Sequence, residues 1–296
     1  MNTSSAHTIV MTGASQGIGA VAASRLLEDD PDAHLVFVGR RPGPVSPRVT
    51  FIDTDLADIA ATRRAGRQIC ALLQDGVLPI LDRFVGNAGI QHTDALTSTA
   101  DGLEATFAVN VVANSLLLTH LQSQLAPSSR IVITVSDTHF GDLLHNLALV
   151  PAPVWSTPEV LARPGAFAEP DSARAGRTAY STSKLAAIYL VHAWARALPP
   201  GVDIVSFNPG LVPGTGLTRH AGRGVQLAMR ALGPVLALTP LATTSAQAGA
   251  ALADLVLGVV STSTGDYVDR RRVVSSSRQS YDSVRESELI EFLNTL

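Results

Sequence analysis

The 296-residue chain predicts one doubly wound α/β domain, and three observations carry that expectation. Short β-branched runs alternate with amphipathic stretches along most of its length, as in a parallel sheet covered by helices on both faces. The first run is followed at once by a glycine-rich turn, "GASQGIG" at residues 13–19, and then by helical periodicity. Hydrophobic residues make up 46% of the chain, enough to bury a full core in a single domain spanning residues 1–296.

In order, "TIVMT" at 8–12 predicts the first strand, and Val21, Ala22, Leu26 and Leu27 recur at helical spacing within a helix over 18–29. "HLVFV" at 34–38 is the second strand, "RRPGPVSP" at 40–47 a Pro/Gly loop and "VTFID" at 49–53 the third strand. Further strands are expected at "LDRFV" (81–85), "RIVITV" (130–135) and "DIVSF" (203–207). Amphipathic stretches over 57–74, 101–125 and 174–198 are long enough to cross the sheet and return parallel. The Pro-rich stretch at 151–170 is too long for a plain connector.

Charge and cysteine usage exclude several classes. Net charge is -3, and the Lys and Arg residues are scattered apart from "DRRR" at 269–272, which argues against a nucleic-acid surface. The single cysteine, Cys70, rules out an internal disulfide and fits a reducing, cytoplasmic location. No apolar run is long enough for a membrane span, and no His, Cys or carboxylate cluster has metal-ligand spacing, so neither a membrane nor a metal is expected.

A glycine turn at the carboxyl edge of a first strand lets backbone N–H groups and a helix N-terminus approach a pyrophosphate, and Gly13, Gly17 and Gly19 permit that approach. Tight turns need glycine for conformational reasons too, so the turn alone does not decide. In "TAYSTSKLAA", Tyr180 and Lys184 are four apart and share a helix face, with the ammonium near the phenol. A free phenol has a pKa of about 10, and an adjacent cation that favours phenolate fits a tyrosine for general acid/base work. Such a pair by itself is usually a solvated face.

Six landmarks stand in register with the strand pattern: "TGASQGIG", "NAG" at 87–89, Asn110 in "FAVNVVANS", Ser136 after "RIVITV", "YSTSK" and "NPG" at 208–210. Together they resemble the short-chain dehydrogenase/reductase family, over nearly the whole chain. Within it, the long interval from Ser136 to Tyr180 and "PGLVPGTGL" resemble the retinol dehydrogenase and protochlorophyllide reductase branch. The resemblance implies a Rossmann fold and a catalytic set of Ser136, Tyr180, Lys184 and Asn110. Tyr180 exchanges a proton with the substrate oxygen, Ser136 hydrogen-bonds that oxygen, Lys184 also binds the nicotinamide ribose, and Asn110 holds a relay water.

The resemblance further implies a cofactor site of Gly13, Ser15, Gln16, Gly17, Ile18, Gly19, Asp55, Leu56, Asn87, Ala88, Gly89, Tyr180, Lys184, Pro209, Gly210, Val212 and Thr215. Asp55 can equally cap the following helix, and the spacing to Thr215 is one residue longer than in compact members. The second strand ends in Gly39, Arg40 and Arg41 with no acid, which suits the 2′-phosphate of NADP and not the bare ribose of NAD. Arg40 and Arg41 therefore join the cofactor set. His139 is left outside the catalytic set, as a strand-end histidine is more often a structural hydrogen-bonder.

The expected activity is NADP-dependent interconversion of a ketone or aldehyde and an alcohol on an apolar small molecule. Reduction of a carbon–carbon double bond and a non-catalytic NADP-binding regulator stand as alternatives. Residues 137–177 are expected to form a substrate wall. Family members are often dimers or tetramers, which leaves a homo-oligomer among the expectations.

Overall fold

The computed structural model describes residues 6–146, 150–212 and 242–296. The glycine turn joins strand β1 (His7–Thr12) to helix α1 (Gly17–Asp29), followed by β2 (Ala33–Gly39) and β3 (Val49–Asp53). Then come α2 (Ile59–Gln74) and β4 (Ile80–Gly86). The next helix is not uniform: α3 (Ala105–Phe107) widens into a π turn over Ala108–Val112 and returns to α geometry as α4 (Ala113–Leu121). The sequence predicts one helix over 101–125. The structure starts it at Glu104, whose carboxylate accepts from Thr106 N and Phe107 N and so caps the first turn.

Strand β5 (Leu125–Thr134) starts earlier than its β-branched run suggests. Leu125 pairs with Leu81 and Arg130 with Arg83, so the residues between bulge out and the regular ladder begins at Arg130. Beyond it lie the short helices α5 (Leu143–Asn146) and α6 (Pro158–Leu161), the long α7 (Ala173–Ala197) and β6 (Asp203–Asn208). Four further elements have no counterpart in the sequence reading: α8 (Ser245–Val256), β7 (Tyr267–Asp269), β8 (Arg272–Val274) and α9 (Ser283–Thr295). The two strands are three residues each, below the length at which alternation can be read.

The strands form one sheet in the order β3-β2-β1-β4-β5-β6-β7-β8, parallel throughout except for the β7–β8 pair. The order reverses between β1 and β4, the switch point beside which ligands bind in doubly wound sheets. One face buries Val10, Phe84 and Ile131 against α2, α4 and α7, and the other buries Met11, Val85 and Phe207 against α1 and α8. A third cluster joins Phe107 and Val112 to Tyr189 of α7 and to Leu289 and Phe292 of α9. Among the described residues, no helix is long and apolar enough to cross a membrane, and no group of His, Cys, Asp and Glu could hold a metal ion.

Candidate active site

The glycine turn is built by close approach of backbone to backbone. Gly13 has φ +70°, and a Cβ there would stand 2.8 Å from Ala88 Cα and N. A Cβ on Gly19 would stand 1.9 Å from the Gly13 carbonyl oxygen, so no other residue fits without displacing the turn. Thr12 Oγ1 accepts from both Asn87 N at 3.1 Å and Ala88 N at 3.0 Å, and Asn87 Nδ2 donates to Gly13 O at 3.1 Å. Thr134 Oγ1 donates to Asn87 Oδ1 at 3.2 Å. The Asn87 side chain is thus a clamp between the turn and the ends of β4 and β5, and Ala88 is the backbone against which the turn rests.

Side chains cap α2, α7, α8 and α9 through Asp58, Ser172, Thr244 and Asp282, whereas among the described residues no side chain caps α1. Ser15 and Gln16 are exposed there, and Ile18 packs onto the apolar cluster beneath. An uncapped helix N-terminus behind a glycine turn leaves N–H donors for an anion. The residues present fit a dinucleotide at this edge.

Arg40 and Arg41 follow β2 in the open, with Arg40 Nη1 4.0 Å from Asp55 Oδ2. Both partners are well exposed, so this pair contributes little and can yield to a ligand phosphate. Asp55 does not cap α2: its Oδ1 accepts from Ala57 N at 3.0 Å, and Asp58 accepts from Ala61 N at 2.7 Å as the cap. Leu56 packs partly buried against the core.

Lys184 and Tyr180 lie on α7, buried at 3% and 6% exposure. Lys184 Nζ donates to Thr134 O at 2.9 Å and stands 5.7 Å from the centre of the Tyr180 ring. Burial lowers the Lys184 ammonium to about 8, because its charged form loses water. Burial likewise drives the Tyr180 phenol above its ordinary value; the Ser136 hydroxyl opposes that shift by hydrogen bonding, and the charge of Asp137 adds to it. The sequence reading has Lys184 favouring phenolate. In this geometry burial is the largest influence on the phenol and acts in the opposite direction.

Ser136 lies two residues past β5 in extended backbone, φ -159° and ψ 150°, and begins a tight turn over Asp137–Phe140. Asn110 sits inside the π turn, 1% exposed, where Ala113 N reaches back to Ala108 O. Its Oδ1 accepts from Ile90 N at 2.9 Å, and its Nδ2 donates to Ile90 O at 3.0 Å and Ser183 Oγ at 2.9 Å. A Cβ on Gly89 would lie 3.4 Å from both Asn110 Oδ1 and Lys184 Nζ, so these three meet at one point. Pro209 and Val212 are buried, and Gly210 N donates to Asn208 Oδ1 at 3.2 Å. Thr215 lies outside the described residues.

His139 is wholly buried, with Nδ1 2.6 Å from Ser136 O and Nε2 accepting from Ser277 N at 3.0 Å. That network assigns the neutral tautomer with the proton on Nδ1, and burial lowers the imidazole to about 4. It ties the end of β5 to the segment before α9. Two residues outside the expected catalytic and cofactor sets also reach the site. Asp137 accepts from Ser136 Oγ at 3.3 Å, and Asn208 Oδ1 accepts from Asp137 N at 3.2 Å. The only sequence signal for Asp137 is a carboxylate directly after a strand-end serine.

The expected substrate wall divides. Leu143 and Leu144 are exposed, and Phe140 stacks on His145 with ring centres 3.7 Å apart. Val154 N donates to Thr182 Oγ1 at 3.0 Å, which fastens the returning chain along α7. Trp155 meets Tyr189 edge-on at 4.7 Å, and Leu161 and Phe167 are buried in the third apolar cluster. The later part of 137–177 is therefore core. Leu147 and Leu149 lie outside the described residues.

A doubly wound sheet with a glycine turn at its carboxyl edge, and a half-buried serine beside a buried Tyr–Lys pair there, defines a nucleotide-dependent oxidoreductase. The chain belongs to the short-chain dehydrogenase/reductase family: residues 7–145 match the family model described as short chain dehydrogenase. It is 30% identical over 220 residues to a Streptomyces sp. (strain C5) protein provisionally named daunorubicin C-13 ketoreductase, covering 70% of this chain and 66% of that one, just under two thirds. It is 28% identical over 235 residues to the protochlorophyllide reductase of Avena sativa, covering 72% and 73%. Its fold matches a short chain dehydrogenase from Burkholderia cenocepacia J2315, solved in complex with NADP, at TM-score 0.60 and 24% identity over 90% and 96% of the two chains.

Proposed function

We propose that this oxidoreductase uses NADPH to reduce a ketone or aldehyde on an apolar small molecule, with Tyr180 as general acid and Ser136 and Lys184 beside it. The observation that carries the reading is the convergence of these groups: Lys184 Nζ lies 5.7 Å from the centre of the Tyr180 ring, and Ser136 stands near enough to the phenol to oppose the upward push of burial on it. NADPH supplies the hydride when bound. Ser136 and Tyr180 donate to the carbonyl oxygen, where negative charge develops. Burial keeps the phenol protonated until that oxygen takes the proton, which is the state a general acid needs.

Lys184 binds the nicotinamide ribose, and the Asn110 turn beside it holds a relay water. The backbone of Gly13, Ser15, Gln16, Gly17, Ile18 and Gly19 cradles the pyrophosphate, and Arg40 and Arg41 hold the 2′-phosphate. Asp55, Leu56, Asn87, Ala88 and Gly89 border the adenosine, and Pro209, Gly210, Val212 and Thr215 the carboxamide. The name of the Streptomyces relative and the NADP bound in the Burkholderia neighbour support this assignment. A cytoplasmic site of action goes with it.

Carbon–carbon double-bond reduction is the second reading, favoured by the protochlorophyllide reductase relative. NADPH oxidation against aromatic, polyketide-like and aliphatic carbonyl compounds, with enones included, tests both. Alcohol products support the first reading, and saturated ketones from enones overturn it in favour of the second.

A further inference from the structure

The turn after β5 places a carboxyl group against the catalytic serine. Asp137 Oδ1 accepts from Ser136 Oγ at 3.3 Å, while the same hydroxyl oxygen accepts from Thr138 N at 3.3 Å. The backbone of Asp137 is held in place from behind. Asn208 Oδ1 accepts from Asp137 N at 3.2 Å, Asn208 Nδ2 donates to Asp269 Oδ1 at 3.0 Å, and Arg270 Nε stands 3.3 Å from that oxygen. A serine hydroxyl has one proton to give, and an ionised carboxylate is a stronger acceptor than a ketone oxygen.

We propose that Asp137 is a positioning residue, which sets the direction of the Ser136 hydroxyl and so decides whether that hydroxyl can donate to a substrate oxygen. The inference rests on the carbonyl-reduction reading. When Asp137 is ionised, the Ser136 proton points at the carboxylate and away from the reacting oxygen. When Asp137 is protonated, its O–H donates to Ser136 Oγ, and the Ser136 proton is released toward the carbonyl. Asp137 keeps its proton through the reaction, since Tyr180 delivers the one that ends on the product.

The groups facing Asp137 are Asp269, Arg270 and Tyr267 at β7, His145 on α5 and Tyr180 on α7. Burial raises the Asp137 carboxyl to about 6; Asp269 adds to the shift, while the Ser136 hydrogen bond, His145 and Arg270 oppose it. The switch therefore falls around pH 6, with the reduction-competent form on the acid side.

The experiment is the pH profile of initial reduction rates at saturating NADPH for wild type, Asp137→Asn and Ser136→Ala, with NADPH affinity measured alongside. The wild-type rate should rise about fivefold from pH 8 to pH 5, part of the worth of one oxyanion donor. Asp137→Asn should flatten that rise to within about twofold at unchanged NADPH affinity, because its amide donates to Ser136 at every pH. Ser136→Ala should flatten it at a lower rate. An inflection kept in Asp137→Asn overturns the proposal.

A second measurement needs no substrate. The carbon-13 carboxyl resonance of Asp137 should titrate near pH 6 in wild type and move to higher pH in Ser136→Ala, which removes a donor favouring the charged form. An unmoved midpoint also overturns the proposal. If no carbonyl compound is reduced, the reaction reading fails, and this titration still decides the Ser136–Asp137 coupling.

Discussion

The nucleotide edge and the substrate edge of this sheet are built in opposite ways. At the first, backbone meets backbone: Gly13 lies against Ala88, Gly19 against Gly13, and the side chains involved, Thr12 and Asn87, serve to hold main chain to main chain. At the second, side chains far apart in sequence converge, with Ser136, His139, Tyr180 and Asn208 meeting around one turn. Only glycine tolerates the first kind of contact, so it prints a spacing into the sequence. Ordinary residues serve the second kind, which leaves no local mark.

The sharpest way to separate the two edges is Tyr180→Phe. It should lower turnover by about a thousandfold, the worth of a positioned general acid, while NADPH affinity measured by fluorescence titration stays within twofold. Loss of affinity along with turnover would merge the two edges into one. Gly19→Ala acts on the other side alone. Its new Cβ would overlap the Gly13 carbonyl, and denaturant unfolding should show a loss of about 2–3 kcal/mol, in the range of overpacked cores, together with weaker NADPH binding. Unchanged stability would mean that the turn relaxes freely.

Arg40→Ala with Arg41→Ala should raise the NADPH KM by the worth of one or two charge-assisted bonds, about 1–3 kcal/mol, and leave the NADH KM in place. Equal losses for both cofactors would remove the 2′-phosphate assignment. The smallest expected effect is in the returning chain before α7. With NADP bound, substrate or product should slow hydrogen exchange in the part of residues 140–165 that lines the site, near Val154, and leave the core residues Leu161 and Phe167 unaffected. No change anywhere in that stretch would make it an edge excursion that never meets substrate.

The sheet through β6 was legible because each strand is a β-branched run bounded by turn residues, as "TIVMT" and "HLVFV" illustrate. Helix α9 was not, because its apolar residues Leu289, Phe292 and Leu293 are few and mean something only against Tyr189 and Phe107. Asp58 and Asp55 both precede α2, and the cap falls to Asp58 because the helix begins at Ile59, a boundary that composition does not express. The tyrosine and lysine were legible through their helical spacing. Their burial was not, and burial is what raises the phenol and lowers the ammonium. Asp137 carries no local mark for the same reason, since it meets Ser136 through its carboxylate and Asn208 through its backbone.

The central claim is that hydride goes to a carbonyl carbon while Tyr180 supplies the proton. NADPH carrying deuterium at the transferable position, incubated with a ketone that the wild-type enzyme reduces, tests both halves at once. The label should appear on the carbinol carbon of the alcohol, and Tyr180→Phe should slow its transfer by about a thousandfold with cofactor affinity intact. Label found on a former double-bond carbon, or transferred by Tyr180→Phe at the wild-type rate, would contradict the account.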